Sequence, residues 1–246
     1  MSDQKIRINR YLAGCGLGSR RKCEKYVTEG NVRINGKKIS DLALKVDPYR
    51  DKVTVQGETV CYAEEKIVLV LNKPEGVVCS VSDDLGRRTV VDIAKEKGYR
   101  QRLFPVGRLD MDTTGILLLT NDGELTNRMI HPRYHVEKVY TVDVEGEISG
   151  ETASRIAEGV DIGGYVTRPC RIEILSGMEK RSRLKVTIKE GKKRQIRRMF
   201  LSYGHPVIKL HRKSIGGLEF EDLDKGQLRP LNPDEESYLR RMIESD

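Results

Sequence analysis

The chain of 246 residues contains no tryptophan and only 3 phenylalanines, and its hydrophobic residues amount to 37%. No run approaches the roughly 18 to 20 apolar residues that a membrane-spanning helix requires, so no membrane partner is expected. The opening MSDQKIRINRYL has no apolar stretch followed by small residues, which gives no secretory signal and an expected cytoplasmic address. Cys15, Cys23, Cys61, Cys79 and Cys170 are odd in number and widely spread, without a Cys-x-x-Cys pair. That pattern disfavours a zinc knuckle or a redox dithiol and leaves reduced packing thiols. The 4 histidines are scattered and lack ligand spacing, so no metal is expected. Gly30 and Gly36-Lys37 stand one residue too far apart for a phosphate-binding P-loop, and Lys38 occupies the place of its Ser or Thr. Internal repeats and low-complexity segments are also absent.

What the chain does have is positive charge, unevenly placed. Lys and Arg number 45 against 37 Asp and Glu, a formal net charge of +8. Residues 1 to 62 hold 13 basic and 7 acidic side chains, a net of +6, leaving +2 for the other 184 residues. Such a distribution suits a polyanionic partner bound through the N-terminal quarter.

In that quarter Ile6, Ile8, Tyr11 and Leu12 precede a glycine-rich break, Gly14-Cys15-Gly16-Leu17-Gly18, after which Ser19 is placed to cap a second helix. Cys23, Tyr26 and Val27 share one face of that helix, which leaves Arg20, Arg21, Lys22 and Lys25 for solvent or a ligand, and Gly30 is placed to end it. Asn35-Gly36 marks a tight hairpin between Val32-Arg33-Ile34 and Lys37-Lys38-Ile39. The unit reads as two short helices and a β-ribbon. Residues 50 to 66 are polar and mixed in charge, which puts the boundary near Ala63-Glu64-Glu65 and gives domains over 1–62 and 65–246.

Beyond it, Ile67 to Leu71 reads as a buried strand stopped by Asn72-Lys73-Pro74, and Gly76 to Cys79 as a short strand. Tyr140, Val142, Val144 and then Leu184, Val186, Ile188 alternate with a period of two. Helices are expected at about 122–131 behind Asp122, 150–158, 194–203 before Gly204, and 233–244 after Asn232. The fold class is α+β: a small α/β N-terminal domain, then a larger domain with a mixed, mainly antiparallel sheet and flanking helices.

Residues 106 to 123, VGRLDMDTTGILLLTNDG, place a charged turn before an apolar strand, Ile116 to Leu119. A carboxylate there can rest on a buried floor and still face a cleft, as a nucleophile or base requires. A structural turn aspartate is the ordinary alternative. Asp110 and Asp112, two residues apart on an extended segment, should point to opposite faces, which argues against the facing acid/base pair of a glycosidase.

The stretch Ile6 to Ile39, with its run SRRKCEKYVTEGNVRINGKKI, resembles the alpha-L RNA-binding motif of the ribosomal-protein-S-four type. Phosphate contacts are accordingly expected from Arg7, Arg20, Arg21, Lys22, Lys25, Arg33, Lys37 and Lys38. GRLDMDTTGILLLTNDG, with LNKPEGVVCS before it and EGKKRQIRRMF after it, closely resembles the signature of the bacterial ribosomal RNA pseudouridine synthases of the RsuA/RluB type, and the likeness covers nearly the whole chain. It implies that a uridine is flipped from RNA, cut at its N-glycosidic bond, turned and rejoined through carbon, with no cofactor. It makes Asp110 the catalytic residue and Arg197 the base paired with it. Tyr140 becomes the ring packed on the target uracil, and Arg108 the residue entering the vacated space. Arg194 and Arg198, expected on one helix side with Arg197, become holders of the nucleotide's phosphates. Asp112 fills a loose slot of the pattern. The segment KPEGVVCSVSDDLGRRTVVDI is more similar to the large-subunit enzymes, so the implied partner is large-subunit (23S) ribosomal RNA or its assembly intermediates, bound by a monomer. The rivals are a ribosome-associated RNA-binding factor that has lost catalysis, and an RNA glycosidase or nuclease.

Overall fold

The computed structural model describes residues 5–62, 65–178 and 180–244. The chain forms two compact units, Met1–Lys66 and Ile67–Asp246. The boundary residues expected at Ala63 and Glu64 lie outside the described residues.

The first unit runs β1 (Ile6–Arg7), α1 (Ile8–Gly14), α2 (Arg20–Thr28), β2 (Val32–Ile34), β3 (Lys37–Lys38), β4 (Lys45–Val46), β5 (Val53–Val55) and β6 (Glu58–Val60). Local chemistry sets most of its boundaries. The Ser19 hydroxyl accepts from Lys22 N at the start of α2. At its end Gly30 takes φ +73°, while Gly30 N and Asn31 N donate to the carbonyls of Val27 and Tyr26, a Schellman cap. Asn35 and Gly36 both have positive φ, as a type I′ hairpin turn demands. Ile8, Leu12, Cys23, Val27, Val32 and Val53 close the core. Within the polar stretch of residues 50 to 66, where the sequence reading places no element, lies the β5–β6 hairpin, which completes a sheet in the order β3-β2-β5-β6. Its turn is Gln56-Gly57, again with positive φ at both residues.

The second unit runs β7 (Val68–Lys73), α3 (Val90–Glu96), β8 (Phe104–Pro105), β9 (Thr114–Thr120), α4 (Gly123–Ile130), β10 (Lys138–Glu145), α5 (Gly150–Glu158), β11 (Arg171–Met178), β12 (Arg181–Ile188), α6 (Gln195–Leu201), β13 (Val207–Ile215), β14 (Leu218–Glu219), β15 (Leu228–Pro230) and α7 (Pro233–Glu244). Its sheet is ordered β11-β12-β10-β13-β9-β7-β15. The pairing is antiparallel except between β13 and β9. Leu69, Leu71, Leu117, Leu119 and Val142 face α3, α5 and α6, while Val68, Val70, Ile116 and Leu118 face α4 and α7. Both faces of β7 and β9 are therefore covered, which is why these two strands are unbroken apolar runs whereas β10 and β12 alternate. Burying each such side chain contributes about 1.5–3 kcal/mol.

Gly76 to Cys79 is not a strand. Gly76 turns at φ +82°, and Val78 makes only an isolated parallel bridge to Thr89, where its backbone leads into α3. That helix, not among those expected above, opens with a capping box between Thr89 and Asp92. Where β9 and β13 run parallel, Gly115 pairs with Arg212. Gly115 has φ +110°, and a Cβ there would collide with the backbone O and N of Arg212. The glycine of the Asp-x-Asp-x-x-Gly run is thus needed for close strand approach.

Candidate active site

β7 ends in Lys73, whose side chain is 0% exposed. Its ammonium donates to four carbonyl oxygens: Pro74 at 3.0 Å, Asp110 at 3.2 Å, Met111 at 3.4 Å and Thr113 at 2.8 Å. Burial pushes this ammonium below the usual lysine pKa, opposed by the Cys79 thiol and the carboxylates of Asp112 and Asp110. Further bonds close the same turn. Thr113 N donates to Asp110 O at 3.0 Å and Gly76 N to Met111 O at 2.9 Å. Leu109, just ahead, is buried and donates from N to Cys79 Sγ at 3.3 Å. Burial pushes the Cys79 thiol up, which keeps it a packing group. The backbone of 109–113 is thus fixed, while the Asp110 carboxyl remains 39% exposed.

Because 110–113 is a turn rather than an extended segment, the expectation that the two carboxylates diverge fails. Both approach one guanidinium: Arg194 lies 3.9 Å from Asp110 Oδ2 and 3.4 Å from Asp112 Oδ2. The pairing expected for Arg197 also differs. Arg197 lies 3.1 Å from Asp112 Oδ2, and it donates to the carbonyls of Asp112 at 3.2 Å and Val207 at 3.1 Å. With its side chain only 11% exposed, Arg197 braces the turn from below. Nor do Arg194, Arg197 and Arg198 share a helical face. Arg194 precedes α6 in a left-handed conformation, φ 51° and ψ 34°, which costs roughly 1–2 kcal/mol for an L-residue and carries its guanidinium to the two aspartates. Arg198 is exposed and stands over Gly163.

A cleft of about 760 Å³ opens above the turn, a size within the usual range for small-molecule and cofactor sites. Asp110, Arg108, Arg194 and Tyr140 line it, whereas Arg197 and Arg198 do not. Arg108 is exposed and makes no ion pair among the described residues, so the turn-stabilising alternative finds no partner. Tyr140 is 7% exposed, belongs to the apolar core and lines the cleft as well. The core and site readings of this ring are therefore compatible. Arg168, Lys189, Lys192 and Lys193 are exposed along the rim. Glu190 anchors that rim by accepting from Tyr165 Oη at 2.7 Å, Arg168 N at 3.0 Å and Gln195 Nε2 at 2.6 Å. Two further cations, Lys138 and the buried Arg212, line the cleft wall. None of Lys73, Lys138 and Arg212 figures among the site residues expected from the sequence. Among the described residues, no three His, Cys, Asp or Glu side chains gather in metal-binding geometry, and no helix is long and apolar enough to cross a membrane.

Residues 67–202 match the family model described as RNA pseudouridylate synthase, and residues 6–48 match the S4 domain. The chain belongs to the RNA pseudouridylate synthase family. Among curated members it is 40% identical to the ribosomal large subunit pseudouridine synthase B of Bacillus subtilis (strain 168), across 97% of both chains. It is 35% identical to the dual-specificity RNA pseudouridine synthase RluF of Escherichia coli (strain K12), across 100% of this chain and 82% of that one. A solved pseudouridylate synthase superposes with a TM-score of 0.67 at 32% identity, covering 95% of this chain and 99% of its own. The small S4 domain followed by a larger, mostly antiparallel sheet with helices is the architecture expected from the sequence.

The eight basic residues expected to bind RNA, Arg7, Arg20, Arg21, Lys22, Lys25, Arg33, Lys37 and Lys38, are all exposed on this S4 domain. The stem of Lys38 lies so close over Gly30 that a Cβ there would meet it, which sets the hairpin charges beside the end of α2.

The buried Lys73 generates a test of its own. Lys73→Met is expected to destabilise the chain by about 1–3 kcal/mol in urea unfolding, because it leaves buried carbonyl oxygens without their donor. It is also expected to lower pseudouridine formation about 100-fold, the scale of a 1 Å displacement of a reacting group. Wild-type turnover by the variant would show that other interactions hold the turn.

Proposed function

We propose that this protein converts uridine to pseudouridine in ribosomal RNA, with Asp110 as the catalytic carboxylate and the S4 domain binding the substrate RNA. The observation that carries the reading is a carboxyl left accessible at the floor of a cationic cleft, on a turn whose four carbonyls, from Asp110 to Thr113, all accept hydrogen bonds. Around Asp110 the cleft is lined by Arg108, Arg168, Lys189, Lys192, Lys193 and Arg194, with Glu190 the only other carboxylate in its lining. Such a rim attracts the phosphates of a flipped nucleotide, and its uracil can then lie against Tyr140. Asp110 acts on the sugar. The C1′–N1 bond breaks, the base turns, and a C1′–C5 bond forms as C5 loses a proton and N1 gains one. Substrate and product are isomers, so the chemistry needs no redox carrier and no external energy. Arg197 enters this reading as a brace for the turn, through Asp112, and Arg198 as a phosphate contact beyond the cleft.

The large-subunit RNA or its assembly intermediates is the favoured substrate. Supporting this are the KPEGVVCSVSDDLGRRTVVDI segment and the substrate named for the Bacillus subtilis relative. The protein acts in this reading as a cytoplasmic monomer.

Asp110→Asn is expected to bind ribosomal RNA with wild-type affinity yet release no tritium from 5-tritiated uridine in it. Asp112→Asn should retain turnover within about tenfold, losing part of its hold on Arg197 and Arg194. Near-normal turnover by Asp110→Asn would remove the assignment.

For the S4 domain the discriminating quantity is salt dependence. Replacing Arg20, Arg21 and Lys22 together with Ala should reduce the slope of log affinity against log salt by roughly 0.7 to 0.9 for each phosphate that the variant no longer neutralises, leaving turnover at saturating RNA nearly unchanged. An unchanged slope would mean that this helix face does not meet the RNA.

A further inference from the structure

Arg212 is 2% exposed and carries a charge that the fold does not neutralise. Its Nε donates to Ile116 O at 2.6 Å, Nη2 has no partner, and no carboxylate lies within ion-pair distance among the described residues. A buried guanidinium in that condition is expensive, and an apolar side chain of similar length would be cheaper for folding. Lys138 adds to the imbalance. It lines the same cleft, donates to Val136 O at 2.9 Å, and its pKa is pushed down to about 8 by burial first and by the charge of Arg212 second.

Strand register shows what this charge faces. Arg212 of β13 is directly opposite Tyr140 of β10, so the two side chains leave the same face of the sheet side by side, and Lys138 follows two residues along that face. On its other side Arg212 pairs with Gly115 of β9, the strand that leads out of the Asp110 turn. The close approach at Gly115 and the bond to Ile116 fix Arg212 between the proposed base wall and the proposed catalytic turn. The exposed cations at the rim are placed for phosphates, whereas Arg212 is deep and next to the ring on which the base would lie.

We propose that Arg212 is a second catalytic residue: its guanidinium donates to a carbonyl oxygen of the flipped uracil and stabilises the negative charge that the base carries between cleavage and rejoining. The inference rests on the reading of this cleft as the uridine site. When C1′–N1 breaks, the bonding electron pair leaves with the uracil, so the base becomes an anion with its charge shared among N1, O2 and O4. The pair on the rotated base then forms C5–C1′, the C5 proton departs and N1 takes up a proton, which restores neutrality. A donor held in place before the reaction, in a site shielded from water, favours that anion more than solvent does. The unpaired charge of Arg212 then has its counter-ion only while the base is detached.

The test uses the full chain with a 23S ribosomal RNA transcript, in single turnover, comparing Arg212→Met and Arg212→Lys with wild type and Asp110→Asn. Arg212→Met is expected to bind the transcript normally and to unfold at the wild-type temperature or above it. Its rate should fall by roughly 100- to 1000-fold, the usual loss for one oxyanion donor, and Lys should recover part of it. With 5-fluorouridine in the transcript, whose base is the better leaving group, consumption should fall much less, roughly tenfold or under. Equal losses on both substrates would mean that Arg212 only positions the nucleotide or its phosphate, and would overturn the proposal. So would unfolding of both variants, which would make the side chain structural, or a normal rate in Arg212→Met beside an inactive Asp110→Asn. Full activity in Asp110→Asn would instead overturn the reading of the cleft itself.

Discussion

One buried ammonium organises the catalytic half of the molecule. Lys73 reaches from the end of β7 into the loop ahead of β9 and holds carbonyls from both sides of the Asp110–Thr113 turn. Four acceptors surround three N–H bonds, so at least one hydrogen is shared, and no water is needed to satisfy the group. The arrangement inverts the usual role of a charged side chain: the charge is consumed in fixing backbone, and the carboxyl of Asp110 is thereby left facing the cleft. Arg197 completes the clamp from the α6 side by holding both the carboxylate and the carbonyl of Asp112. Asp110 sits between these two braces and is bonded through its side chain to neither.

The cleft gathers the features that cost folding energy. Arg194 adopts a left-handed backbone, Lys138 and Arg212 are desolvated cations that pair with no carboxylate among the described residues, and Lys73 is buried outright. Strain and unbalanced charge of this sort persist where the remaining structure outweighs them, here a sheet whose β7 and β9 are covered on both faces. Away from the cleft the same unit handles charge conventionally. Asp143, for example, is nearly buried but bonded to Arg183 and Arg181, whose guanidinium groups hold its carboxyl below the usual carboxylate range.

Much of the fold is legible in the sequence where a local rule decides it. Ser19 and Asp122 cap their helices, Asn35-Gly36 makes its hairpin, and the runs at Val68 to Leu71 and Ile116 to Leu119 lie in strands buried on both faces. The short β5–β6 hairpin is hidden by its own composition, since VTVQGETV mixes polar and apolar residues as a linker does. Reading Gly76 to Cys79 as a strand follows propensity where tertiary pairing with the α3 entry decides. For the site, the placing of Asp110 on a turn at a strand entrance is legible, but its neighbours are not. Which arginine meets which aspartate depends on the hand of a turn and on the left-handed backbone of Arg194, and neither has a sequence signal. Lys73 and Arg212 do leave a trace. Each is a charged residue at an inward-facing position, Lys73 closing an apolar strand and Arg212 in phase with the buried Leu210. Charge in the wrong phase of a strand is the sign that was available.

On the proposed reading, a turn already fixed in the free protein presents Asp110 to a uridine brought into the cleft beside Tyr140. A crystal structure of the chain bound to RNA carrying 5-fluorouridine at the target position tests it most directly. The Asp110 carboxylate is expected at about 3–3.5 Å from C1′ of the flipped nucleotide, with the base on Tyr140 and the Lys73 hydrogen bonds to the turn unchanged. A target base still stacked in the RNA, or seated where Asp110 cannot reach its sugar, would show that this turn does not deliver the catalytic group.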